Sequence, residues 1–300
     1  MFEAVEFPSE GAVLRGRLYR PAAEGSPPIV VMANGTSATV SMSADRYAER
    51  FRAAGFAALL YDHRNLGASD GEPRFEVNPW IQARGYRDAI TFAETLPAVD
   101  ASRLVLWGVS FSAKEALVAA AVDGRPAAVI AQVPACGREP APADGDGSIA
   151  RRLRESVSGG DVSGDAADVR GPMPVVSHDQ LNVESLLEPP QAFRWFTDYG
   201  GRFGAGWRNV VRLVEPRSLP PFHPGLVAGD LDMPVLMLVA PEDEMAGANP
   251  VVSRGVFDAI PEPKELVEVD GGHFGLLYHP GELFDEASRT ECDFLDRTLR

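Results

Sequence analysis

The chain has 300 residues, enough for one large domain that buries its own core, and its 45% apolar and 24% charged side chains are ordinary globular proportions. A formal net charge of −15 argues against nucleic acid or an anionic membrane surface as a partner. No run approaches the roughly 18 apolar residues of a membrane helix, and the two cysteines, Cys136 and Cys292, give neither a disulfide framework nor zinc-ligand spacing. The N-terminus has no signal-peptide pattern, so a cytoplasmic protein without metal or other cofactor is expected.

Residues 2–20 read as two strands about the turn Ser9-Glu-Gly11. Pro28–Ala33 is a continuous apolar run, the pattern of a strand buried on both faces, and it ends in Asn34-Gly35-Thr36-Ser37. Ala44–Ala54 reads as a helix stopped by Gly55. Phe56–Tyr61 is a second buried strand that enters the turn-rich loop Asp62–Gly71. Residues 81–96 have helical spacing, Leu104–Trp107 is a strand, Ser112–Ala121 a helix and Ala127–Val133 a strand, with Met233–Val239 and Glu265–Val269 the last two strands. Strands alternating with helices predict an α/β fold whose central sheet is mostly parallel and covered on both faces.

From 138 to 227 that rhythm breaks. The stretch begins rich in Pro, Gly and Asp, offers candidate helices at 148–157 and 179–187, and carries the aromatic set Phe193, Trp195, Phe196, Tyr199, Phe203 and Trp207. An insertion between two parallel strands lies at their C-terminal ends, where open α/β sheets bind ligands. The expected organisation is a core of 1–137 and 228–300 with 138–227 as an inserted cap.

Leu104–Leu117 joins a strand to a helix through Gly108-Val-Ser110, a sharp turn that would hold a serine hydroxyl clear of the fold. A serine nucleophile needs a base and a group that orients the base. His273 lies in a glycine-flexible loop after the final strand and is the candidate base. Asp243, in Glu242-Asp-Glu244 after the preceding strand, is the candidate acid, with Glu242 next and the two acids not used expected in solvent. The backbone N–H groups of Phe111 and Thr36 are the candidate oxyanion donors.

Four segments in this order resemble the α/β-hydrolase family: Gly108-Val-Ser-Phe-Ser112 its nucleophile elbow, Ala33-Asn-Gly-Thr36 its oxyanion turn, Tyr61–Gly71 its loop after the fourth strand, and Gly271-Gly-His273 its histidine loop. Within the family, Arg46–Phe51, Asp70–Arg74 and Asn78–Gln82 look similar to polyketide-transesterase-like, dienelactone-hydrolase-like and X-Pro-peptidase-like members. The resemblance implies an α/β-hydrolase fold and a serine hydrolase acting on a small-molecule ester or thioester through an acyl-enzyme. Acyl transfer with the same residues, or a non-catalytic binding protein on the scaffold, are the alternatives. Two positions depart from the family pattern: Asn34 stands for the usual histidine of the oxyanion turn and Ser112 for the last glycine of the elbow. Lys114, one turn beyond Ser110, is expected to form a surface pair or pack, Asp62, Arg64 and Asp70 to hold their loop, and Cys136 to pack.

Overall fold

A computed structural model describes residues 1–22 and 25–300. The chain opens with β1 (Glu3–Ser9) and β2 (Ala12–Tyr19), paired antiparallel in register Ser9 to Ala12. The two-residue turn between them places Glu10 and Gly11 at φ 46° and 74°, which suits the right-handed twist of the flanking strands. Next come β3 (Pro28–Ala33), α1 (Ala44–Ala53), β4 (Ala57–Tyr61), β5 (Glu76–Val77), α2 (Pro79–Glu94), β6 (Asp100–Val109), α3 (Phe111–Val122) and β7 (Ala128–Gln132). The second half adds α4 (Ser148–Ser158), β8 (Val169–Met173), α5 (Pro190–Gly200), β9 (Val211–Val214), β10 (Val235–Val239), α6 (Pro250–Ala259), β11 (Lys264–Glu268), α7 (Gly272–Gly275) and α8 (Glu282–Leu299).

The main sheet has eight strands in the order β1-β2-β4-β3-β6-β7-β10-β11, parallel from β4 to β11. Among its interior strands β3, β4, β7 and β10 are buried along their whole length, and alternate residues feed two cores. Val30 and Met32 pack with Tyr47, Phe51, Trp107 and Phe284 under α1 and α8. Ile29, Val31 and Ala33 pack with Ala83, Tyr86, Ala116 and Val256 under α2, α3 and α6. This period-two division explains why β3 reads as unbroken apolar sequence. Because the parallel strands end on one edge, the loops carrying Asn34, Ser110, Asp243 and His273 meet there.

Residues 138–227 add a second, three-stranded sheet, β5-β9-β8. One of its strands, Glu76–Val77, comes from the first half of the chain and pairs in parallel with Arg212–Leu213. Leu153 and Val157 of α4 share the core of α2 and α3. Trp195, Phe196 and Tyr199 of α5 pack in the other core, with the Trp195 ring 5.6 Å from Phe274.

Two expectations are corrected, and two helices are added. Residues 179–187 form a turn and loop with a single bridge between Val176 and Leu187. Ser177 Oγ accepts the Asp179 N–H at 3.0 Å and Asp179 Oδ1 accepts the Asn182 N–H at 3.3 Å, local bonds that compete with a helix, while Leu181 finds nothing to bury against. Phe203 is fully exposed and stands apart from the aromatic cluster. The helices α6 and α8, unassigned from the sequence, follow the usual spacing, with Phe284, Ala287, Glu291, Phe294 and Leu295 on the buried stripe of α8.

Candidate active site

Ser110 occupies the turn between β6 and α3 at φ 58°, ψ −117°, a conformation costing roughly 1–3 kcal/mol that the surroundings enforce. Its N–H donates to Gln132 O at 2.8 Å, and its carbonyl accepts the Ala135 N–H at 2.9 Å. A Cβ on Gly108 would fall 2.3 Å from Ser112 O, so only glycine permits this closeness of strand and helix.

Ser110 Oγ lies 2.9 Å from His273 Nε2, and His273 Nδ1 lies 2.8 Å from Asp243 Oδ2. The His273 and Asp243 side chains are each 2% exposed. A carboxylate at Nδ1 fixes the proton there and leaves Nε2 free to accept from the serine hydroxyl. Met245 N–H donates to Asp243 Oδ1 at 2.8 Å, which holds the carboxylate edge toward the ring. The fold therefore brings together Ser110, Asp243 and His273, whereas Glu242 stays exposed in its loop.

Glu244 is not a solvated bystander. Its Oε2 accepts the His273 backbone N–H at 2.7 Å, and a Cβ on Gly272 would fall 2.3 Å from that oxygen. The glycines before His273 thus let a carboxylate grip the main chain while its neighbour grips the ring. Nothing in a linear sequence separates the two acids, because their partners lie about thirty residues away.

Across from Ser110, the Asn34 side chain organises the loop after β3. Its Nδ2 donates to Thr39 O at 2.9 Å and Met42 O at 2.7 Å, and its Oδ1 accepts the Gly35 N–H at 2.9 Å. The Gly35 amide is therefore occupied, while the N–H groups of Thr36 and Phe111 have no backbone partner among the described residues. A Cβ on Gly35 would meet Ser110 Cβ at 3.0 Å, so the turn touches the serine directly. Asp62, buried behind this loop, accepts the Val40 N–H at 2.8 Å and the Ala68 N–H at 2.9 Å; burial pushes its carboxyl up to about 6 despite both bonds. Arg15 pairs with Asp70 at 2.5 Å.

Ser112 faces away from the site, into a buried polar group. Its Oγ donates to Asn34 O at 2.6 Å and lies 2.8 Å from His63 Nε2 and 3.1 Å from Glu115 Oε2. The serine has one hydroxyl proton, and the Asn34 carbonyl can only accept it. The other two contacts therefore bring protons to Ser112 Oγ, from the Nε2–H form of neutral His63 and from a protonated Glu115. Burial supports both states, lowering His63 to about 3 and raising Glu115 well above the carboxylate range, the latter against Lys114 and the Ser112 bond. The sequence signal for this buried carboxylate is a lone acid in an Ala-rich helical run. Burial also raises the Cys136 thiol to about 12, consistent with packing.

A cavity of about 600 Å³ opens above Ser110 and His273, walled by Phe111, Leu187, Trp195, Phe196, Met245 and Leu277 among others. Among the described residues, no three His, Cys, Asp or Glu side chains are grouped to hold a metal ion, and no helix is long and apolar enough to cross a membrane.

An eight-stranded sheet in which only β2 runs antiparallel to the rest, with a strained serine after β6 and a histidine after the last strand, is the architecture of an α/β-hydrolase. The chain belongs to the α/β-hydrolase family, in the group that holds thiohydrolases and polyketide transferases. It is 33% identical to the thiohydrolase apmlB of Arthrinium phaeospermum, over 98% of this chain and 96% of that one. It is 32% identical to the polyketide transferase af380 of Aspergillus fumigatus, over 99% and 98%. The solved structure of the α/β-hydrolase GrgF from Penicillium sp. sh18 superposes with a TM-score of 0.76 at 26% identity, covering 100% of this chain and 99% of that one. Residues 10–143 match the family described as X-Pro dipeptidyl-peptidase (S15 family).

Proposed function

We propose that the protein cleaves a carboxylic ester or thioester of a small molecule through an acyl-enzyme on Ser110. The observation that carries this reading is the unbroken relay from Ser110 Oγ to His273 Nε2 at 2.9 Å and from His273 Nδ1 to Asp243 Oδ2 at 2.8 Å. As Oγ bonds to the carbonyl carbon, His273 Nε2 takes its proton and Asp243 steadies the imidazolium. The N–H groups of Phe111 and Thr36 receive the oxyanion. Collapse expels the alcohol or thiol, which leaves with the proton from His273. Water then adds to the acyl-enzyme as His273 takes one of its protons; the acid departs and the proton returns to Ser110.

In this reading residues 138–227 form a cap on a core of 1–137 and 228–300, with Trp195 and Phe196 of α5 supplying the apolar wall over Ser110. A fluorophosphonate probe tests it: wild type should label and Ser110→Ala should not. Labelling of the variant at an unchanged rate would rule Ser110 out as nucleophile. Absence of labelling, with no turnover of esters or thioesters of any chain length, would instead mark a binding protein on this scaffold.

Acyl transfer to an alcohol or amine is the second reading, favoured by the likeness to a polyketide transferase. Product analysis with candidate acceptors separates the two.

A further inference from the structure

Lys114 is expected from the sequence to find a surface partner or to pack. Among the described residues it has neither a carboxylate within ion-pair distance nor a hydrogen-bond acceptor. Its half-buried side chain instead places the ammonium 3.8 Å from the centre of the Phe111 ring and 5.8 Å from that of Phe222. Ser110 lies in the turn directly before α3 and Lys114 in the first turn of that helix, and both line the same cavity.

Phe111, Lys114, Leu213 and Glu215 line both the cavity above Ser110 and a second cavity of about 360 Å³ that continues between Trp80 and Phe222. The ammonium thus stands at the junction of the two cavities, the second walled mainly by Pro, Trp, Leu and Phe side chains and the first also carrying Arg138, Arg170 and Glu188. Burial lowers its pKa, because the ammonium there has lost much of its hydration. A cation held this way lacks the counter-charge that a buried ion ordinarily requires. Glu115, its neighbour in sequence, keeps its proton and turns toward Ser112.

We propose that Lys114 binds a carboxylate at the far end of the substrate's acyl chain, which runs from Ser110 past Phe111 and Leu213 into the second cavity. This rests on Ser110 being the nucleophile. A carboxylate fits better than a phosphate, because the junction offers one ammonium among apolar walls and Glu215 at its edge opposes a dianion.

The test compares N-acetylcysteamine thioesters of succinic, adipic and suberic acids with the butanoyl, hexanoyl and octanoyl thioesters of matched length. Wild type should favour the acid-bearing chain at least tenfold in kcat/KM at one length or more. Lys114→Met should lower that ratio at least tenfold, chiefly through KM, and Lys114→Arg should retain most of it. Equal ratios in wild type and Lys114→Met would overturn the proposal. A second arm needs no turnover: calorimetric titration of Ser110→Ala with free suberate or adipate should show binding that Ser110→Ala/Lys114→Met loses. Diacid binding alike to both chains, or displacement by inorganic phosphate at equal concentration, would overturn the carboxylate assignment. If Ser110→Ala still labels with fluorophosphonate, the hydrolase reading fails while the titration decides the anion site on its own.

Discussion

The amide of Asn34 shapes the turn opposite Ser110 by using both its donor and its acceptor, three bonds in all. Asn34→Ala should free the Gly35 N–H and let the Thr36 amide wander, lowering kcat by about 10²–10³ with little change in KM, as loss of an oxyanion donor does. Steady-state kinetics on a neutral ester would read this. The two acids beside the histidine should separate in the same assay. Asp243→Asn leaves the ring in the wrong tautomer and should cost about 10⁴ in kcat. Glu244→Ala removes only a charged acceptor for the His273 N–H and should cost about ten- to a hundredfold, corresponding to the roughly 1.5–3 kcal/mol of such a bond. If Glu244→Ala were the more damaging, the assignment of Asp243 as the orienting acid would fail. At this scale, what the sequence conveys is chemistry attached to strand ends: Ser110, Asp243 and His273 each follow an apolar run of strand length. The grip of Glu244 and the occupied Gly35 amide depend on side-chain directions that no spacing encodes.

The helices carry buried acids, and with them a pH dependence. Glu115 on α3 and Glu291 on α8 are both held well above the usual carboxylate range by burial, Glu291 against the Trp107 Nε1–H bond at 3.1 Å. In the unfolded chain such groups titrate near ~4.3. The folded state therefore binds more protons than the unfolded one above that pH, and stability is lost as pH rises toward the folded pKa values. Urea midpoints measured at pH 5, 7 and 9 should show the wild type falling with pH, and Glu291→Gln should fall less and exceed the wild type at pH 9. Parallel curves would show that Glu291 does not hold its proton in the fold. Strands with both faces buried, β3, β4, β7 and the Leu104–Trp107 half of β6, are legible as apolar runs. The pair α6 and α8 carried a readable stripe that went unassigned, while 179–187 misled because its polar side chains satisfy the backbone locally.

For the molecule as a whole, residues 138–227 pack into both cores, through Leu153 and Val157 on one side and Trp195, Phe196 and Tyr199 on the other. The Tyr199 hydroxyl also accepts the His279 N–H at 2.8 Å, tying α5 to the segment that follows His273. Unfolding should accordingly be one cooperative transition. Trp107 in the main sheet and Trp195 in α5 give the means to check it: Trp107→Phe and Trp195→Phe variants, each followed by fluorescence and far-UV circular dichroism, should show coincident transitions within each protein. A separate, earlier transition that moves only with the fluorescence of Trp195 would mean that the segment melts by itself. The alternation of strand and helix announced the main sheet; the small sheet was invisible because two-residue and four-residue strands carry no periodicity.

That small sheet limits how the protein can be recombined. Glu76 and Val77 supply one of its three strands from a point more than sixty residues before the segment that holds the other two. A chimera that exchanged 138–227 with a relative while keeping its own 76–77 would graft β9 onto a foreign edge and leave main-chain bonds mismatched beside Leu213, at the mouth between the two cavities. Substrate range should therefore transfer between relatives only when both pieces travel together, so that the unit of inheritance for specificity is discontinuous in the gene.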